Sequence, residues 1–151
     1  MFMVAGIATF MSVMTLKVQG AKMSNEADVC TKSLFVIGDK PTKIGDTVIV
    51  QYVFANNSDL DVGECEVYLD LAVQSTILRD PKSPVTISGL KAHETVKGQA
   101  LFHIEKLGNY IGTGWIKIKE PHMKDSNPKN NELRVPLFEI KLNPVAPGMH
   151  K

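Results

Sequence analysis

The sequence predicts an all-β domain, an antiparallel sandwich, and three observations carry that expectation. Short runs rich in Val, Ile, Tyr, Phe and Thr recur roughly every ten residues. Clusters of Gly, Pro, Asn and Asp, whose side chains and backbones suit turns, separate them. No stretch after residue 21 sustains a helical period, and no repeat or low-complexity segment interrupts the pattern.

The N-terminal stretch stands apart. From Phe2 to Leu16 every residue is apolar, Gly, Ser or Thr. That run fits the apolar region of a signal peptide and falls short of the roughly 20 residues needed to span a bilayer. Val18 and Gly20 occupy the −3 and −1 positions of a cut before Ala21. No Lys or Arg precedes the run, so the α-amino group alone supplies positive charge there; left uncleaved, the segment is a membrane anchor. No lipobox-like pattern precedes Cys30. The expectation is a signal peptide over residues 1–20, no membrane span after cleavage, and a periplasmic or secreted domain.

Removing those residues takes away Lys17 and no acid, so the formal charge falls from +1 to 0. A neutral domain with mixed charges points to neither nucleic acid nor an acidic membrane surface. Five of the 7 methionines (1, 3, 11, 14 and 23) lie in or just after the apolar segment, so their number is no sign of a Met-rich binding surface. The remaining length can bury one core without cofactor or metal. Two cysteines, Cys30 and Cys65, enter an oxidising compartment. A bridge between them is worth about 3–4 kcal/mol by chain entropy; two buried free thiols are the alternative, since Cys packs as a small apolar residue.

Along the chain, "VCTKSLFVIG" ends at Gly38 and "DKPTKIGD" turns it. In "TVIVQYVFANN", Val48, Val50, Tyr52 and Phe54 share one face. After the polar turn "NSDLD", the strand "GECEVYLDLAV" alternates Cys65, Val67, Leu69 and Leu71 with Glu64, Glu66, Tyr68 and Asp70. "QSTILRDPKSPVTISGL" is broken at Pro81 and Pro84 and reads as an edge strand plus a crossover between sheets. "ETVKGQALFHI" resumes alternation through Val96, Ala100, Phe102 and Ile104.

"YIGTGWIKIKEP" admits two assignments. The continuity of Tyr110 with Ile116 and Ile118 puts that set in the core, with Gly112 and Gly114 making room for large neighbours and Trp115 outward. The opposite assignment buries the only Trp, as core tryptophans usually are. Asp125 to Asn131 is a turn into the last strand, "ELRVPLFEIKLN". There Leu133, Val135 and Leu137 give way to Phe138, Ile140 and Leu142 on the opposite phase, the mark of a β-bulge beside Pro136 on an unpaired edge. Residues 143–151 are too rich in Pro and Gly for regular structure and form a flexible tail.

These landmarks, in order, resemble the CARDB domain, the cell-adhesion-related domain of bacterial secreted proteins. The elements that carry the resemblance are Gly45 to Val48, Asn56-Asn57, Gly89-Leu90, Gly108 to Tyr110 and Asn130-Asn131, within residues 27–142. The chain departs from the pattern at His93, where a turn Gly is usual, and at Ser58, where Gly often ends the asparagine turn. The resemblance implies a seven-stranded immunoglobulin- or fibronectin-like sandwich, and adhesion or assembly rather than catalysis. It transfers no active site, because the matched residues are structural.

Candidate chemistry is sparse. His93, His103, His122 and His150 form no metal-spaced pair. His122-Met123 and Met149-His150 offer imidazole and thioether, which suit Cu(I), and make a small periplasmic copper-binding protein the alternative reading. Asp125, Asn127, Asn130 and Asn131 offer oxygen ligands for Ca²⁺, but only one is charged, and turn capping accounts for them better. No nucleophile elbow, no Cys beside a plausible His and no phosphate loop occurs, so no enzyme and no cofactor is expected. What remains is a surface. An outward Trp115 would join Tyr68, Ile111 and Lys117 in a patch for a protein partner or a surface glycan. The expected function is an exported, non-catalytic binding or assembly module, a subunit or accessory of an extracytoplasmic or envelope complex.

Overall fold

The computed structural model describes residues 25–142. Residues 1–20, where a signal peptide is expected, and residues 143–151, with Met149 and His150 among them, lie outside the described residues. Ten strands run in the order β1 (Glu26–Ala27), β2 (Val29–Ile37), β3 (Thr47–Asn56), β4 (Val62–Val73), β5 (Thr76–Arg79), β6 (Val85–Leu90), β7 (Thr95–His103), β8 (Gly108–Ile118), β9 (Lys124–Asp125) and β10 (Glu132–Ile140). A 3-10 turn over Pro128–Asn130 leads into β10.

The strands form two facing sheets. One is the three-stranded β2-β3-β7. The other is β10-β8-β4, with β5 and β6 lying in series along the far edge of β4. A short parallel bridge between β1 and β9 ties the N-terminal end of the described chain to the turn before β10.

Six of the seven sequence-predicted strands appear where the alternation put them, and the irregular segment is corrected. Rather than one edge strand and a crossover, residues 76–90 give two strands in one sheet, β5 against Asp70–Val73 and β6 against Val62–Val67. The physical reason is local. At the interruption, the Asp80 N–H donates to the Leu69 carbonyl (3.2 Å), and the Leu69 N–H donates to Ser83 Oγ (3.2 Å). The break therefore satisfies the β4 edge that a continuous strand would have satisfied.

The core follows the period-two faces: Val48, Val50, Tyr52 and Phe54 of β3 meet Cys65, Val67, Leu69 and Leu71 of β4 and Tyr110 and Ile116 of β8. A Cβ on Gly112 would stand 2.8 Å from Leu137 Cδ1, and one on Gly114 would stand 3.0 Å from both Thr31 Cγ2 and Tyr52 Cδ1. These glycines make room for large neighbours, as the outward assignment of Trp115 requires. The bulge is present as well: the β10–β8 register shifts between Pro136 and Phe138, on a strand paired along one edge.

The Gly-x-Tyr element has a structural role. The Tyr110 hydroxyl donates to the Lys106 carbonyl (2.8 Å) and accepts from the Lys106 N–H (3.1 Å). This is the tyrosine corner that pins a Greek-key connection in immunoglobulin-like sandwiches.

The cysteines are buried free thiols, the second of the two readings that the sequence left open. Cys65 faces the core between the sheets. Cys30 pairs in register with Ala55, a position that alternates with core-facing Phe54, and its sulfur accepts from Asn57 Nδ2 (3.2 Å). Burial pushes the Cys65 thiol up to about 12 and raises Cys30 as well, so both stay protonated at neutral pH.

Candidate functional site

The double asparagines explain how the sandwich end is built. Asn57 and Asn130 both donate through Nδ2 to the Asp28 carboxylate, at 3.3 and 2.9 Å. Asn131 donates to Asp125 Oδ2 (2.9 Å), while Asp125 Oδ1 accepts from the Asn127 N–H (2.9 Å). Buried Thr31 donates to the Asn131 carbonyl (2.6 Å), joining β2 to the start of β10. Of the side-chain oxygens weighed as Ca²⁺ ligands, both of Asp125 are thus engaged in capping, whereas Asn130 Oδ1 and Asn131 Oδ1 are buried without a hydrogen-bond partner among the described residues. Asp59 and Asp61 of the "NSDLD" turn reach the β6–β7 turn instead. Asp61 accepts from the Ala92 N–H (2.8 Å) and from Lys91 Nζ (2.9 Å), and Asp59 lies 2.7 Å from His93 Nε2. His93 holds the left-handed φ of 59°, which is why a turn Gly is usual there.

Of the copper residues, only His122 and Met123 lie among the described residues. His122 is exposed, and Met123 packs against the core. Among the described residues, no group of three or more His, Cys, Asp and Glu is placed to hold a metal ion.

The aromatic residues are brought together. Tyr68 and Trp115 are direct register partners on β4 and β8, on the outer face of the larger sheet. Their ring centroids lie 4.9 Å apart at 43°, and both residues are half-buried. The register places Glu132 of β10 on the other side of Trp115. Lys117 is exposed and lies opposite Glu66. Ile111 shares the face but sits beyond Thr113, opposite Ala72 and Pro136, so it extends the patch without touching its centre.

Charges of both signs frame the pair. The Tyr68 hydroxyl donates to Glu66 Oε2 (2.8 Å), which raises the tyrosine pKa and lowers that of Glu66. Arg79 grips Asp70 with two prongs, Nε–Oδ1 at 3.0 Å and Nη2–Oδ2 at 3.3 Å. Beside the aromatic pair, Asp70, Thr113, Glu132 and Arg134 line a shallow depression of about 380 Å³. Such a surface offers a stacking face next to convergent donors and acceptors, the chemistry of a polar ligand or a mixed protein surface. The sequence reading had not included Arg79, Glu132 and Arg134. Extending the alternation of β10 outward from Leu133 and Val135 would have found the last two.

Comparison with known proteins gives fold and no more. No protein-family model matches the sequence, and no curated protein matches it. Among solved structures, the CARDB domain of a Pyrococcus furiosus protein, crystallised in complex with di-metal ions, aligns at a TM-score of 0.53 and 14% identity, over 74% of this chain and 89% of that one. The solution structure of the same domain aligns at 0.51 and 13%, over 74% and 94%. The fold is CARDB-like. The resemblance first seen in five turn motifs therefore extends to the three-dimensional arrangement of the strands.

Proposed function

We propose that the chain is an exported, non-catalytic binding or assembly module, working outside the cytoplasm as a subunit or accessory of a larger envelope or secreted complex. The observation that carries this reading is the Tyr68–Trp115 pair, held on the outer face of a rigid sheet beside a polar depression. Aromatic rings with neighbouring arginines are the residues that dominate recognition surfaces. The CARDB-like fold, implying adhesion or assembly, supports the same reading, as does the apolar segment Phe2–Leu16 for export. The ligand is a protein surface or a surface glycan; both present the polar groups that the depression matches.

Immobilised mature chain incubated with native envelope extract tests this. The wild type is expected to retain a defined partner or glycan that Trp115→Ala loses while keeping its fold by circular dichroism. Equal retention by the two forms would remove this face from the function.

A further inference from the structure

The two sheets do not close equally on their two flanks. At one flank β2 packs against β8 and β10. At the other, β7 is the outer strand of its sheet, and its far edge carries no partner strand among the described residues. Facing it across the mouth are β5 and β6. Two cavities, of about 550 and 410 Å³, lie end to end in this mouth and share Asp80, Lys82 and Gln99. Together they follow β7 from Val96 to His103, most of its 9 residues.

The inner wall is apolar: Phe54, Val67, Leu69, Val85, Ile87 and Val96 line the second cavity. Its centre is vacant because of Gly98. This residue holds a core-facing position of β7, between Val96 and Ala100, yet a Cβ there would meet nothing within 4 Å. The sandwich therefore offers a row of unpaired backbone groups beside an apolar trough with a recess at Gly98. A small apolar molecule would fill the recess and leave the strand edge unpaired. An added strand satisfies both, with main-chain hydrogen bonds along β7 and alternate side chains in the trough.

Charge selects the occupant. Lys82 and Lys97 stand exposed on opposite lips of the trough, and neither forms an ion pair among the described residues. The one acid at this cavity, Asp80, is buried, and its carboxylate accepts from the Lys82 N–H (3.1 Å). A lysine on an open edge discourages pairing with a second copy, which brings the same charge to the same place. It favours a strand of opposite sign.

We infer that the free edge of β7 receives an extended segment of a partner protein that alternates apolar with acidic residues. Its apolar side chains enter the trough, one of them at Gly98, and its carboxylates face Lys82 and Lys97. This site is separate from the Tyr68–Trp115 face.

The test uses a blocked nine-residue peptide alternating Val and Glu, and its Val–Lys counterpart. The acidic peptide is expected to bind saturably and to slow deuterium uptake over Thr95–His103. Reversing both lysines (Lys82→Glu with Lys97→Glu) should weaken it by at least about tenfold and admit the basic peptide. Gly98→Val, which fills the recess in a folded protein, should weaken it as well, whereas Trp115→Ala should leave it unchanged. Indifference to peptide charge, unaltered exchange over β7, or a concentration-dependent dimer abolished by the two lysine reversals would each overturn the proposal.

Discussion

Three glycines in strand interiors, Gly112 and Gly114 on β8 and Gly98 on β7, mark the difference between the two flanks of this sandwich. On the β8 side the missing side chains are replaced by neighbours. Leu34 and Leu137 crowd the Gly112 position, and Thr31 and Tyr52 crowd that of Gly114. On the β7 side nothing replaces the missing side chain. The same residue type thus serves close packing at one flank and leaves a recess at the other. A glycine in a strand is read correctly only once its neighbours across the sandwich are known.

The largest expected effect comes from filling the crowded flank. Gly114→Val drives a branched side chain into Thr31 and Tyr52 and should destabilise by about 3 kcal/mol, measured by urea unfolding. Wild-type stability would mean that the closed flank is looser than the distances say. Trp115→Ala sharpens the contrast between core and outer face. Loss of a half-exposed ring and its contact with Tyr68 should cost about 1–2 kcal/mol, against the roughly 3–5 kcal/mol of a buried Trp. Acrylamide should quench its emission, and a fully shielded, blue-shifted ring would contradict the outward face.

Tyr110→Phe removes both hydrogen bonds to Lys106 and leaves those backbone groups short of a partner, for a loss of about 1–2 kcal/mol. A neutral outcome would show that the corner is held by the stacking of Tyr110 on Phe138, centroids 4.9 Å apart, instead.

Smaller still is the effect of acid on the exposed turns. The Ala92 N–H, followed by Lys91, holds the Asp61 carboxyl below its ordinary value of 3.8, and the Thr42 N–H leads the same effect at Asp46. The unfolded chain therefore binds protons first, at its higher pKa. Stability from these contacts is present above about pH 4 and is lost as pH falls through the lower folded values. Deuterium uptake in residues 42–46 and 91–93 should rise below about pH 4, before the core strands open. Uptake unchanged there down to global unfolding would deny the two carboxylates that role. Both thiols should resist alkylation in the native state and react fully after unfolding without reductant, since they are buried and unbridged.

Much of this was legible in the sequence, because a half-buried strand writes its two faces into alternate residues. The core faces of β3 and β4 and the bulge at Pro136 follow from that alternation, whereas β8 admitted two assignments, and the neighbours crowding Gly112 and Gly114 decide for the one that turns Trp115 outward. The neighbouring placement of Tyr68 and Trp115 needed one addition, that β4 and β8 share a sheet. The segment around Pro81 and Pro84 was not legible, since its pairing depends on the Asp80 and Ser83 contacts with Leu69 across the chain. Nor did the alternative of a Cys30–Cys65 bridge resolve, because a bulge in β2 between Thr31 and Ser33 changes which face each residue takes. The open flank did leave a trace. The apolar series Val96, Ala100, Phe102 skips one core position, Gly98, and that gap is where the recess lies.

Thermal unfolding of Gly98→Val beside Gly114→Val tests the asymmetry of the two flanks most directly. Gly98→Val should leave the midpoint unchanged or raise it by a few degrees, since the new side chain enters open apolar space and the unfolded chain loses freedom. Gly114→Val should lower it by roughly 10 °C, at about 3–4 °C per kcal/mol for a domain of this size. Equal losses in the two variants would contradict the account, because they would mean that both flanks of the sandwich are already filled.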